Sequence, residues 1–130
     1  KQLADLISSI KLKVRRKHHP ATLTFQALRM AVNDEVRELN KVLSDSFSLL
    51  GIGGRLAIIS YHSTEDKIVK NFINKGSSTC ECPPLNLECN CNISPILKVV
   101  NKKPITPTDG EINQNPRSRS AKLRVIERIR

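Results

Sequence analysis

Residues 53–73 read GGRLAIISYHSTEDKIVKNFI, and this stretch decides the fold. Residues 56–59 form an unbroken apolar run without alternation, which is typical of a strand buried on both faces of a parallel sheet. Ser63 and Asp66 then form a capping-box pattern, and apolar residues recur at helical spacing over 68–73. The stretch therefore predicts a strand, a tight turn and a helix, and places the chain in the α/β class.

The turn after this strand is the best position for substrate chemistry. In open α/β sheets, ligands bind beyond the carboxyl ends of the strands, so residues 60–66 are well placed. His62, Ser63 and Asp66 are the substrate-pocket candidates, because they could hold a substrate group or order water there. The alternative for Ser63 and Asp66 is helix capping, which is favoured for Ser63, and the alternative for His62 is a structural loop residue.

Upstream, the sequence predicts helices. A short amphipathic helix is predicted near the start of the sequence by the spacing of Leu3, Leu6, Ile7 and Ile10, and a basic run follows before Pro20. From Phe25 to Leu50, apolar residues recur every three or four positions, which predicts a core-facing stripe. The stripe lies on one long helix or on two helices that meet near Asn33.

Downstream, a Cys-rich loop is expected over 76–95 and a strand over 96–100. Thr108 and Glu111 form a second capping-box pattern, which predicts a short helix that ends before Pro116. The segment from Ala121 alternates as a half-exposed strand does.

The four cysteines leave two interpretations open. Cys80, Cys82, Cys89 and Cys91 form a CxC-x6-CxC pattern, and thiolates are preferred ligands of structural zinc. Zinc-binding pairs more often have roughly two to four residues between the cysteines, so a single residue is tight. A reducing cytoplasm argues against disulfides. Reduced, inert loop cysteines are favoured, and no metal site is predicted.

Charge points to a polyanionic partner. The 130 residues carry a formal net charge of +10, whereas aromatic residues, which stack on bases, make up only 3%. No apolar run approaches the roughly 18 residues of a membrane span, so we expect a cytoplasmic protein. Basic side chains positioned along the chain could bind RNA phosphates. These candidates are Arg15, Arg16, Arg117, Arg119, Lys122 and Arg124. For the last two, the alternative is an exposed sheet edge kept soluble by its charge.

Three stretches resemble the MraW/RsmH-type methyltransferases, which act on a cytosine of small-subunit ribosomal RNA. They are HPATLTFQALRMAVNDEV (19–36), LLGIGGRLAIISYHSTEDKIVKNF (49–72) and NPRSRSAKLRVIER (115–128). The resemblance implies a Rossmann-like class I methyltransferase fold with an inserted helical domain. On this basis, residues 1–18 would end the insertion and residues 19–130 would form the C-terminal half of the methyltransferase domain. The implied reaction transfers a methyl group from S-adenosylmethionine to the N4 amine of the cytosine.

The sequence departs from the family pattern in two ways. Leu23 stands where the family usually carries Arg. No Gly-rich turn follows a strand, since Gly53 and Gly54 precede one, so we expect no cofactor-binding residues in this chain. The chain is therefore expected to be a C-terminal part of the enzyme, inactive alone, with ribosomal RNA or the ribosomal subunit as partner and no role for DNA. The alternative is a non-catalytic basic RNA- or ribosome-binding module, in which the strand at 56–59 would not need covering on both faces.

Overall fold

The computed structural model describes residues 1–10, 19–80, 82, 91 and 93–130. These residues form two compact units, 1–38 and 39–130. The elements in chain order are α1 (Gln2–Ile10), α2 (Thr22–Val32), α3 (Glu35–Leu49), β1 (Arg55–Ser60), α4 (Ser63–Ser77), β2 (Leu97–Val99), α5 (Asp109–Gln114), a 3₁₀ helix (Pro116–Ser120) and β3 (Lys122–Arg128). No helix among the described residues is both long enough and apolar enough to cross a membrane.

The first unit contains α1, α2 and the start of α3. The two-helix alternative is confirmed, because α2 ends at Asn33 and Asp34 adopts a left-handed backbone conformation with φ of 51°. An ion pair between Arg29 Nε and Glu35 Oε1, 2.8 Å long, spans this break. The prediction of a core-facing stripe is wrong for the first part of the pattern, since Phe25 is 45% exposed. The described residues of this unit include no strand, so α2 has no sheet within the unit to cover its apolar side.

The second unit is built on a three-stranded sheet of order β1-β3-β2. β3 is antiparallel to both neighbours, with Ile58 opposite Arg124 and Val99 opposite Ile126, so β1 and β2 run in the same direction. All three predicted strands are confirmed, and β1 pairs with an antiparallel partner although its unbroken apolar run is typical of a parallel sheet. β3 lies in the centre of the sheet, so the exposed-edge interpretation of the C-terminal strand is wrong.

The core of this unit lies on one face of the sheet. Helices α3 and α4 cover that face, and Leu56 and Ile58 of β1 pack against the buried cluster. The buried residues are Leu43, Phe47, Val69, Ile73, Leu97 and Ile126. On the other face, Ile59 is 56% exposed, so the prediction that β1 is buried on both faces is wrong for this chain. The reason is that α3 and α4 supply core side chains to one face only.

A tight turn connects α3 to β1. Gly53 has φ of 81°, a conformation that L side chains rarely adopt, and its N–H donates to the carbonyl of Arg128 over 2.7 Å. A Cβ on Gly54 would lie 2.8 Å from the carbonyl oxygen of Gly51. Both glycines therefore serve the entry into the sheet.

The short helix α5 confirms the second capping pattern. The Thr108 hydroxyl accepts a hydrogen bond of 3.3 Å from the Glu111 N–H, and α5 ends at Gln114. The 3₁₀ helix that follows was not predicted. Its presence means that Arg117 and Arg119 do not continue the alternation of β3.

Candidate functional site

The turn after β1 is held by a capping box one residue earlier than predicted. His62 is the N-cap of α4, and its Nδ1 accepts a hydrogen bond of 3.3 Å from the Glu65 N–H. The Glu65 carboxylate accepts in return from the N–H groups of Tyr61 (2.8 Å) and His62 (3.2 Å). The predicted pairing of Ser63 with Asp66 is therefore wrong. Ser63 lies in the first turn and is exposed.

The capping interaction fixes the protonation pattern of His62. Because Nδ1 accepts a hydrogen bond, the neutral ring carries its proton on Nε2. Nε2 is buried, lies 3.1 Å from Glu65 Oε1 and makes no hydrogen bond with the described residues. Its side chain is 17% exposed. His62 therefore organises the turn at the end of β1, the position where substrate chemistry was expected.

Asp66 lies beneath this turn in an ion cluster with two candidate residues. Its Oδ1 accepts from Arg124 Nε over 2.8 Å and its Oδ2 accepts from Lys122 Nζ over 3.3 Å. The Asp66 side chain is 9% exposed, that of Arg124 14% and that of Lys122 41%. Burial alone would raise the pKa of Asp66, but the hydrogen bonds and charges of Arg124 and Lys122 outweigh it and hold this pKa below its ordinary value. The cluster joins α4 to β3 and has a net positive charge.

Two further basic candidates lie on the 3₁₀ helix before β3. Arg117 and Arg119 are both exposed on the 3₁₀ helix, whereas Ser118 between them is buried. Arg15 and Arg16 lie outside the described residues.

A shallow hollow lies beside the end of β1, on the sheet face opposite α3 and α4. Its volume is about 150 Å³, and its lining is largely apolar. The lining residues are Ile59, Ile105, Thr106, Pro107, Glu111, Ala121 and Leu123. The Ile105–Leu123 bridge holds one wall against β3. The hollow gives the strand end an apolar surface with a carboxylate at its rim.

Two structurally important polar residues were missed by the sequence analysis. Asn101 donates to the carbonyl of Leu123 (3.1 Å) and accepts from the N–H of Val125 (2.6 Å), which fixes the segment after β2 to β3. Arg128 donates to the carbonyl of Leu50 (2.6 Å) and lies over the ring of Phe47. Of the two, only Arg128 could have been noticed in the sequence, because it is a charged residue at the end of the alternating strand pattern.

Comparison with known proteins matches almost the whole chain to one class of enzyme, the methyltransferases. The family model described as the MraW methylase family matches residues 1–129. The chain belongs to the MraW methylase family. The structure and this match together confirm the mixed α/β class and the family resemblance of the three motifs.

Curated relatives carry the name "Ribosomal RNA small subunit methyltransferase H". The protein from Dehalococcoides mccartyi is 52% identical over 132 residues, which cover 99% of this chain and 38% of the relative. The proteins from Lawsonia intracellularis and Citrifermentans bemidjiense are 46% and 50% identical, each with 42% of its own length covered. The chain thus spans about two fifths of the length of these relatives.

Proposed function

We propose that the protein containing this chain transfers a methyl group from S-adenosylmethionine to the N4 amine of a cytosine in small-subunit ribosomal RNA. The observation that carries the proposal is the similarity, over nearly the full chain, to relatives named as ribosomal RNA small subunit methyltransferases. The substrate would be ribosomal RNA or the ribosomal subunit, which places the reaction in the cytoplasm. A non-catalytic RNA-binding module is the alternative. Burial of β1 on both faces would have argued against the RNA-binding module, but it is not observed. The choice of the methyltransferase over that module therefore rests on the family.

The sheet supports a role as one part of a larger Rossmann-like domain. β1 and β2 run in the same direction, and among the described residues the outer edge of β1 has no strand partner. Ile59 is exposed on the sheet face opposite the core, and other parts of the longer protein could pack against it. Under this proposal, residues 19–130 supply the C-terminal part of the methyltransferase domain, and residues 1–18 end an inserted helical domain.

Among the described residues, no glycine-rich turn follows a strand. A class I methyltransferase holds its cofactor with a Gly-rich turn after a strand. Gly53 and Gly54 lie before β1, and their conformations are used by the turn from α3. We therefore assign no cofactor-binding residue to this chain and propose that the cofactor is held by other parts of the longer protein.

The role proposed for this chain is to hold the RNA and shape the substrate pocket. Arg117 and Arg119 are exposed and can contact phosphates, whereas Arg124 is largely covered by its ion pair with Asp66. Lys122 is more exposed and gives the Asp66 cluster its net positive charge. In the pocket, the rigid turn at His62 would orient the cytosine, because methyl transfer to an amine needs positioning and the loss of a proton.

The RNA-binding role is tested in the full-length protein with the double variant Arg117→Ala/Arg119→Ala. The matched control is Lys102→Ala/Lys103→Ala, which removes two exposed lysines after β2. Methyl transfer from labelled cofactor to small ribosomal subunits is measured at several salt concentrations. We expect the KM for subunits to rise about tenfold and the salt slope of binding to fall by roughly two in the arginine variant only. Equal behaviour of the two variants would contradict the assignment.

The role of His62 is tested by separating its capping function from any contact with substrate. Asn is a good N-cap residue, so His62→Asn should keep nearly the wild-type free energy of unfolding, whereas His62→Ala should lose about 1 kcal/mol. If His62 also orients substrate, both variants lower kcat. Wild-type turnover by a stable His62→Asn protein would limit His62 to capping.

A further inference from the structure

Three cysteine sulfurs from the segment between α4 and β2 lie together. The Sγ atoms of Cys82 and Cys91 are 3.0 Å apart, and those of Cys80 and Cys91 are 4.0 Å apart. All three sulfurs lie within 4.8 Å of one another, and all three residues are half-buried. Both distances exceed the roughly 2.05 Å of a disulfide bond, so neither of these two sulfur pairs is a disulfide.

The separations fit a shared metal ion. Thiolates bind zinc at roughly 2.3 Å, so two sulfurs at tetrahedral corners around one ion lie roughly 3.8 Å apart. The observed 3.0 and 4.0 Å bracket this value. Soft thiolates select Zn²⁺ over hard cations such as Mg²⁺ and Ca²⁺. We propose that the sulfurs of Cys80, Cys82 and Cys91 supply three of the four ligands of one Zn²⁺ ion.

Backbone hydrogen bonds place the first two cysteines of the cluster. The N–H of Cys82 donates to the sulfur of Cys80 over 3.3 Å. The N–H of Cys80 donates in turn to the hydroxyl of Ser78 over 3.1 Å. This fold of the chain brings Cys80 and Cys82 to one point although a single residue separates them. The tight spacing, which argued against zinc in the sequence, is therefore no obstacle.

The position of the cluster indicates a structural ion that ties the two ends of a long segment. The N–H of Ile96 donates to the carbonyl of Gly76 over 2.9 Å, which closes the segment next to the core. Cys80 and Cys91 lie between Gly76 and Ile96 in sequence. The buried core residues Val69 and Leu97 do not include these cysteines. Loss of the ion should therefore loosen the segment and leave the core folded. Cys89 lies outside the described residues and is given no role.

The experiment uses the full-length protein, purified under reducing conditions, with zinc measured by elemental analysis. We expect one zinc per chain in the wild type. Cobalt exchanged into the site should show the intense near-ultraviolet thiolate-to-metal charge-transfer absorption. Cys80→Ser, Cys82→Ser and Cys91→Ser should each weaken zinc binding at least about tenfold. The matched control is Thr79→Ala, which changes an exposed residue of the same segment and should keep the full zinc content.

A second measurement keeps the proposal testable if a serine variant fails to fold. Removal of the metal from the wild type with a chelator should increase the rate of proteolytic cleavage between residues 78 and 96 while the helices and strands of the core stay folded, and should lower the free energy of global unfolding by the binding free energy of the ion. Wild-type protein without stoichiometric metal would overturn the proposal. A cobalt spectrum without charge-transfer absorption, or folded serine variants that retain the wild-type affinity, would also overturn it.

Discussion

Substitution of Asp66 by Asn should reveal how strongly the ion cluster holds α4 to β3. Asn keeps the shape of the side chain and removes its charge, which leaves Arg124 only 14% exposed and without a counter-charge from Asp66. Breaking a buried pair from one side costs roughly 3–5 kcal/mol. Lys122 is 41% exposed and its bond to Asp66 is 3.3 Å long, so solvent screens its share. Asn can still accept one hydrogen bond from Arg124, and we expect a loss of about 2 kcal/mol.

Urea unfolding of the full-length protein near neutral pH measures this loss, with Asp45→Asn as the matched control. Asp45 is exposed on α3, so its substitution should change the free energy of unfolding by less than about 0.5 kcal/mol. Folding lowers the pKa of Asp66, so its stabilising effect is present above the unfolded pKa of roughly 3.9 and is lost as pH falls through the folded value. The difference between wild type and Asp66→Asn should therefore vanish in acid. Equal effects of the two substitutions at neutral pH would refute the reasoning.

Three further predictions concern packing and capping, each measured by urea unfolding. A Cβ on Gly76 would lie 2.5 Å from Leu97 Cδ2, so Gly76→Ala should lower the free energy of unfolding by about 2 kcal/mol. In the double variant with Leu97→Ala the clash is removed, so the total loss should be smaller than the sum of the two single losses. Glu65→Ala should cost about 1 kcal/mol, because two backbone N–H groups lose their acceptor. Ile126→Ala should cost about 3 kcal/mol, whereas the partly exposed Ile129 should tolerate Ala at well under half that cost.

Local patterns predicted the strands and α-helices of the second unit, though not its 3₁₀ helix, because each of these elements carries its own signal. The apolar run at 56–59, the Thr108–Glu111 cap and the alternation after Ala121 all correspond to observed elements. What covers each element is not a local property. The same apolar run predicted burial on two faces, and β1 is covered on one, because a run of side chains does not specify which layers pack against it.

The candidate site shows the same limit in the choice between two overlapping caps. In HSTED, His62 pairs with Glu65 and Ser63 pairs with Asp66 at the same spacing. The structure uses the first pair, and Asp66 instead meets Lys122 and Arg124, which are 56 and 58 residues away in sequence. A local sequence pattern cannot indicate a contact between residues so far apart in the chain. The alternation of Lys122 and Arg124 did correctly place both on one face of a strand.

The central position of β3 has a consequence for how the chain folds during its own synthesis. β1 and β2 do not pair with each other, and each depends on a strand that follows both of them in the chain. The Arg55–Glu127 contact spans 72 residues, which takes on the order of several seconds to translate at roughly 5–20 residues per second. Until then β1 leaves the ribosome without the strand that pairs with it among the described residues. That interval is when a chaperone would be needed and when aggregation would compete with folding.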